Sequence, residues 1–163
     1  KEMRPSLPEF LKGINHGLIL CIVPLIFLSL GGLSLLDTEL LRDKLIRLGI
    51  LPVFIFAILF LSFINAFLEE WYFRGFLLEL GTPLDDPRSK ALLLAIAFSL
   101  HHFLVLMCYF GLVWSLFLAF CTGVAGYSWT RLRQKGATVF TLFVSHCLCD
   151  LIILGVGGWL LLF

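Results

Sequence analysis

Residues 50–80 read ILPVFIFAILFLSFINAFLEEWYFRGFLLEL, and this stretch decides the fold. A helix needs about 20 mostly apolar residues to cross about 30 Å of hydrocarbon. This one is longer, so it projects beyond the core or lies tilted. It also carries Glu69, Glu70 and Arg74 in its second half, where ionisable groups are costly and mark functional sites by default. Four more apolar segments accompany it. One runs from about Gly13 to Leu36, with Pro24 as the expected kink. The others cover Ser89 to Phe110, Gly111 to Thr130 and Ala137 to Phe163, with no polar linker at Gly111. The expected fold class is all-α: a polytopic transmembrane helix bundle of about five spanning helices, with residues 1–163 as a single transmembrane domain.

Composition agrees. Hydrophobic residues make up 60% of the 163 and charged residues 14%, with a mean hydropathy of +1.03. Soluble domains run at about 45–50% and about 25%, which excludes an ordinary cytosolic domain and a disordered chain. A net charge of +1 leaves no electrostatic footprint for DNA or RNA. The expected surroundings are a lipid bilayer, and no nucleic acid partner is expected. Cys21, Cys108, Cys121, Cys147 and Cys149 are odd in number and lack C-x-x-C spacing, so they read as small buried apolar side chains. The first residue is Lys1 rather than methionine, which leaves further helices open at either end. The first span is not a signal peptide, since no small-residue cleavage pattern follows it and four more spans do.

Between the first two spans, Asp37 to Gly49 reads as an amphipathic helix in the interface plane. Asp37 would be its N-cap and Gly49 its C′ residue. Lys1, Arg4, Lys12, Arg88, Lys90, Arg131, Arg133 and Lys135 fall on one side of the membrane, against Arg42, Lys44 and Arg47 on the other. The positive side places the N-terminus and the loops after spans two and four in the cytoplasm. In span four, Ser115, Ala119 and Gly123, then Thr122, Gly126 and Thr130, recur at the spacing of close helix packing.

Among the other ionisable groups inside spans, His102, His146 and Asp150 stand out, with His101 a weaker case. At about 1.5 Å per residue, Glu70, His102 and His146 all lie roughly 15–18 Å from the basic end, so three helices set polar groups at one depth. His146 and Asp150 share a face at i, i+4, as do Glu70 and Arg74. Glu69 is turned about 100° from Glu70. Glu70 is therefore expected to pair with Arg74, leaving Glu69 to face a cavity. Phe98 and His102 share a face, which turns His101 away, bonded to a neighbouring helix. One glutamate, two histidines and an aspartate can activate a water for hydrolysis or ligate a metal, though the H-E-x-x-H zinc motif is absent. Ser145 and Cys147 flank His146 without forming an obvious nucleophile site. Spacing and depth alone leave an ion or proton pathway and simple helix cross-linking open beside hydrolysis.

Glu69-Glu-Trp-Tyr-Phe-Arg-Gly75, Phe98-Ser-Leu-His-His102 and His146-Cys-Leu-Cys-Asp150 resemble the three ordered motifs E-E-x-x-x-R, F-x-x-x-H and H-x-x-x-N/D of the CPBP (CAAX protease and bacteriocin-processing, or Abi) intramembrane proteases. The resemblance implies an intramembrane endopeptidase with its catalytic core in about residues 50–163. Glu69 would activate water with His102 as partner, and His146 and Asp150 would hold the oxyanion. Glu70, Arg74 and Phe98 take supporting positions. A divalent metal such as zinc, held by Glu69, His102 and His146, and no cofactor at all are both compatible with it. Where CAAX prenyl proteases typically carry asparagine, this chain has Asp150, which when ionised only accepts hydrogen bonds. The segment W-Y-F-R-G looks more bacterial than eukaryotic. It favours the bacterial cytoplasmic membrane, and a peptide precursor or membrane protein over a prenylated CAAX substrate. The family also contains self-immunity proteins, so a non-proteolytic scaffold is an alternative, with a proton-coupled transporter behind it.

Overall fold

The computed structural model describes residues 5–80 and 84–162. Lys1 and Arg4, counted toward the basic side, and Phe163, the expected end of the last span, lie outside the described residues. Among the described residues five helices are long and apolar enough to cross a membrane: α1 (Leu7–Ser29), α3 (Leu51–Leu80), α4 (Pro87–Leu106), α5 (Leu112–Gln134) and α6 (Val139–Leu162). The short helix α2 (Thr38–Arg47) lies between α1 and α3. No strand occurs among the described residues. The chain is an all-α integral membrane protein.

Cap chemistry moves several boundaries from where hydropathy puts them. α1 begins before Gly13, because Ser6 Oγ accepts from the Glu9 amide and Pro8 sits in the first turn. It stops at Ser29, ahead of Gly31 at φ 82°, and Pro24 lies inside it. α4 ends at Leu106 rather than Phe110, and a turn leads to Gly111, the N-cap of α5. α2 follows its sequence signals closely. Asp37 Oδ1 accepts from the Leu40 amide at 2.9 Å. At the other end, Gly49 at φ 68° lets its own amide reach the Ile46 carbonyl and the Ile50 amide reach the Leu45 carbonyl.

α3 is not a uniform α-helix. Its α-helical stretch Ala66–Glu70 is bracketed by π-helical segments at Phe60–Asn65 and Trp71–Leu77. Each wider turn takes up extra chain, so the faces before and after it are offset from those of an unbroken 3.6-residue helix. Hydropathy carries no trace of this.

The most extensive pairings are α4 with α5 and α1 with α6, and the middle of α3 packs on α6. The buried residues of α1 are Gly13, Gly17 and Cys21, one stripe at i, i+4 and i+8. A Cβ at Gly13 would lie 2.6 Å from the Thr141 carbonyl oxygen, and one at Gly17 2.8 Å from that of Ser145, so these glycines set how near α1 comes to α6. Glu9 of α1 accepts from the Thr138 amide and from the Thr138 and Thr141 hydroxyls at the start of α6. The small residues of α5 do pack: Ser115, Ala119, Gly126 and Thr130 are buried, and Ser99 of α4 donates to the Ala119 carbonyl. Cys21, Cys147 and Cys149 are buried as expected, but Cys121 is only part-buried and Cys108, between α4 and α5, is exposed. It falls in the turn after α4, where no neighbouring helix covers it.

At the centre, Arg74 is fully buried. Nη1 donates to Glu70 Oε1 at 2.9 Å, Nη2 to the Gly126 carbonyl at 3.0 Å and Nε to Thr130 Oγ1 at 3.3 Å. The guanidinium also lies 4.5 Å from the Phe98 ring centroid and 5.5 Å from those of Phe73 and Trp129. This ties α3 to α4 and α5. Outside, large apolar side chains such as Ile19, Phe56, Val113 and Phe120 stand exposed, a surface suited to lipid and not to water. At one end the last turn of α3, the start of α4 and the end of α5 surround an open cleft of about 580 Å³ that includes Lys90, Arg131, Arg133 and Lys135 beside Glu79 and Asp85. At the other, Lys44 of α2 donates to the Tyr109 carbonyl.

This packing makes four variants informative. Gly13→Val and Gly17→Val should each lower the thermal stability of the detergent-solubilised protein by about 1–3 kcal/mol through overpacking. Gly155→Ala should not, since a Cβ there meets nothing within 4 Å. Arg74→Ala should cost about 3–5 kcal/mol, because it strands the buried Glu70 carboxylate. An unchanged melting temperature for Arg74→Ala would show that the pair is not holding the bundle.

Candidate active site

The two acids of α3 divide as their angular separation requires. Glu70 points to Arg74, and Glu69 points away from that pair toward α4 and α6. Asn65, one turn earlier, donates from Nδ2 to Glu69 Oε1 at 2.9 Å and fixes the carboxylate. The other oxygen, Oε2, is buried and has no hydrogen-bond partner in the protein. It faces His102 Nε2 at 3.9 Å and His146 Nε2 at 3.8 Å. Three helices therefore bring Glu69, His102 and His146 to one point.

The outer nitrogens of both imidazoles are committed. His102 Nδ1 lies 2.9 Å from the Phe98 carbonyl oxygen, which only accepts, so this nitrogen carries the proton and Nε2 turns a lone pair toward Glu69. His146 Nδ1 lies 2.9 Å from Glu70 Oε1, the oxygen that also takes the Arg74 bond. A carboxylate paired with a guanidinium accepts, so His146 Nδ1 donates and its Nε2 faces Glu69. Asp150 Oδ2 stands 3.6 Å from the same Nε2, as i, i+4 spacing on α6 requires. Phe98 supplies more than a carbonyl. Its ring contacts His102 with centroids 4.3 Å apart and meets His146 edge-on at 6.0 Å.

The structure thus brings Glu69, His102, His146 and Asp150 together, with Glu70, Arg74 and Phe98 behind them. One expectation is corrected. His101 is not turned away: its half-exposed ring brings Nε2 to 3.5 Å from Glu69 Oε1. Neighbouring positions on a helix point only about 100° apart, and the Glu69 carboxylate lies between the two directions, so both long imidazoles reach it.

Sequence reasoning misses Asn65, Trp129 and His16. Asn65 carries a usable signal, being four residues before Glu69 on the same helix. Trp129 stacks on His146, with centroids 4.4 Å apart and planes at 20°, and nothing local in the sequence announces a contact between α5 and α6. His16 arrives from α1, distant in sequence.

Zinc takes imidazole nitrogen and carboxylate oxygen, and the converging atoms of Glu69, His102 and His146 are of those kinds. Glu69 Oε2, however, lies 3.8–3.9 Å from both Nε2 atoms, wider than the separation of about 3.3 Å between the ligands of a tetrahedral zinc. Among the described residues no group of three or more His, Cys, Asp or Glu side chains is placed to hold a metal.

With this geometry in place, comparison with known proteins adds one match. The family model described as type II CAAX prenyl endopeptidase Rce1-like covers residues 51–152, from the start of α3 into α6 and across all three motifs. No curated protein and no solved structure matches the chain. Three spanning helices carrying the ordered acids and histidines, within a match over more than half the chain, place this protein in the Rce1-like family of type II CAAX prenyl endopeptidases, a family of membrane proteases.

Proposed function

We propose that the protein is an intramembrane endopeptidase in which Glu69 is the general base. The observation that carries this reading is Glu69 Oε2, a buried carboxylate oxygen with no protein hydrogen-bond partner, held between the Nε2 atoms of two histidines. Asn65 immobilises Oε1, so Oε2 is the oxygen free to take a proton. A carboxylate so placed draws a proton from a substrate water, and the resulting hydroxide adds to the scissile carbonyl carbon. His102 accepts through Nε2 and orients the water.

The oxyanion that develops needs donors. Protonated His146 supplies one at Nε2, because Nδ1–H is already given to Glu70. Asp150 supplies a second when it carries a proton, and otherwise orients His146. Glu69 then returns its proton to the leaving amine nitrogen as the C–N bond breaks, giving a carboxylate and an amine. Withdrawn from bulk water, each of these interactions is strengthened.

The substrate class proposed is a membrane-associated or lipidated protein or peptide precursor, cut where its chain enters the bilayer. The Rce1-like match makes a lipidated C-terminal segment a concrete candidate beside the peptide precursor favoured by the sequence. The proposed cytoplasmic side is the one with the net-basic cleft at the ends of α3, α4 and α5, a choice supported by the positive-inside bias. That bias also puts the N-terminus in the cytoplasm, and a bacterial cytoplasmic membrane is the proposed setting.

Glu69→Gln should abolish cleavage while leaving the protein inserted and thermally stable. Mass spectrometry of membranes carrying wild type or the variant reads this directly, and product formed equally by both would remove Glu69 from the chemistry. Asp150→Asn should retain turnover, because the amide keeps a donor at the oxyanion. Asp150→Leu should lose on the order of 100-fold. Equal loss in both would show that Asp150 is needed as an acid.

A further inference from the structure

We infer that His16 of α1 is a positioning residue for His146, acting through Ser145 and Trp129. His16 lies outside the family-matched segment and touches none of the reacting groups. Its Nδ1 is 2.9 Å from Ser145 Oγ and its Nε2 is 2.9 Å from Ser128 Oγ. Trp129 Nε1, a donor only, gives its hydrogen to the same Ser145 Oγ at 2.9 Å. Ser145 is completely buried, and one proton arrangement satisfies it. Trp129 donates to Ser145, Ser145 donates to His16 Nδ1, and His16 Nε2–H donates to Ser128. The opposite tautomer leaves the Ser145 hydrogen without an acceptor in a buried site, a costly outcome.

The chain of bonds ends on the face of the catalytic imidazole. The Trp129 indole lies nearly parallel to the His146 ring, and Ser145 is the residue before His146 on α6. Glu70 fixes His146 within its own plane through Nδ1. The indole fixes the tilt of that plane, and the indole is itself fixed by a hydroxyl that His16 orients. α1 reaches this point because Gly13 and Gly17 admit it against the α6 backbone, where a Cβ at Gly17 would meet the Ser145 carbonyl oxygen. The first helix is then part of the site's alignment as well as of the bundle.

The activity arm of the test rests on the protease reading, and a second arm does not. The variants are H16F, H16N, S145A and the double variant H16F/S145A. H16F keeps bulk and removes both bonds, whereas H16N keeps a polar atom near Nδ1. Each is assayed on a farnesylated peptide ending in a CAAX sequence. Each is also labelled with ¹⁵N-histidine in detergent micelles, with the His146 signal identified through H146Q. Expected are a fall in kcat on the order of 10- to 100-fold for H16F and S145A with KM unchanged, a double variant no worse than either single one, and near-wild-type kcat for H16N. The His146 nitrogen signals should move in H16F and S145A and stay in H16N. Unmoved signals overturn the inference, as does an unchanged kcat in an enzyme that cleaves. If wild type cuts nothing, the nitrogen signals alone decide, and only the protease reading has failed. If H16F does not fold, S145A carries both arms.

Discussion

One carboxylate oxygen organises the molecule. Glu70 Oε1 accepts from Arg74 Nη1 and from His146 Nδ1, each at 2.9 Å, and all three residues are buried. An unpaired charge in this apolar interior would cost several kcal/mol, so none of the three can relax without exposing the others to that penalty. Arg74 carries the constraint on to the Gly126 carbonyl and to Thr130, and its face lies over Phe98. Through this one centre α3, α4, α5 and α6 acquire fixed relative rotations. Glu69 is then aimed at the histidines because its neighbour cannot turn.

The division of labour between the two acids has a chemical consequence. Glu70 shares one oxygen between two strong donors, which makes it a poor base and fixes His146 Nδ1 as a donor, although its own Oε2 is also buried without a hydrogen-bond partner. Glu69 has one oxygen held by the weak donor Asn65 and the other unpartnered. Two identical side chains, adjacent in sequence, thus become a fixed anion and an available one. Burial does not distinguish them; the partners each meets do.

Much of this is legible in the amino-acid sequence, for physical reasons. The five spans follow from hydrocarbon thickness, α2 follows from its caps, and the separate directions of Glu69 and Glu70 follow from the angle between successive residues. The agreement in depth of Glu70, His102 and His146 needs only the rise per residue. What is not legible is equally specific. Hydropathy misplaces the ends of α1 and α4 because backbone caps, not apolar content, stop a helix. A helical wheel turns His101 the wrong way because an imidazole is long enough to close the gap between neighbouring directions. The π-helical segments leave no mark on an apolar sequence. His16 and Trp129 join the site by contacts between helices far apart in the chain, and no local period reports such a contact.

The two widened stretches of α3 also bear on how such a helix changes over generations. A single residue gained within a helix docked at both ends can be absorbed by loosening one turn, and a single loss by tightening it again. Neither event moves the ends. Either one re-phases the half of the helix that touches lipid against the half that carries the acids. Ala66–Glu70, lying between two such joints and tied to Arg74 beyond it, can keep its orientation while the lipid-facing stretch before Phe60, with Ile55 and Phe56 exposed, drifts to suit different membranes. The same backbone device lets one spanning segment serve two selective pressures that an unbroken helix would bind together.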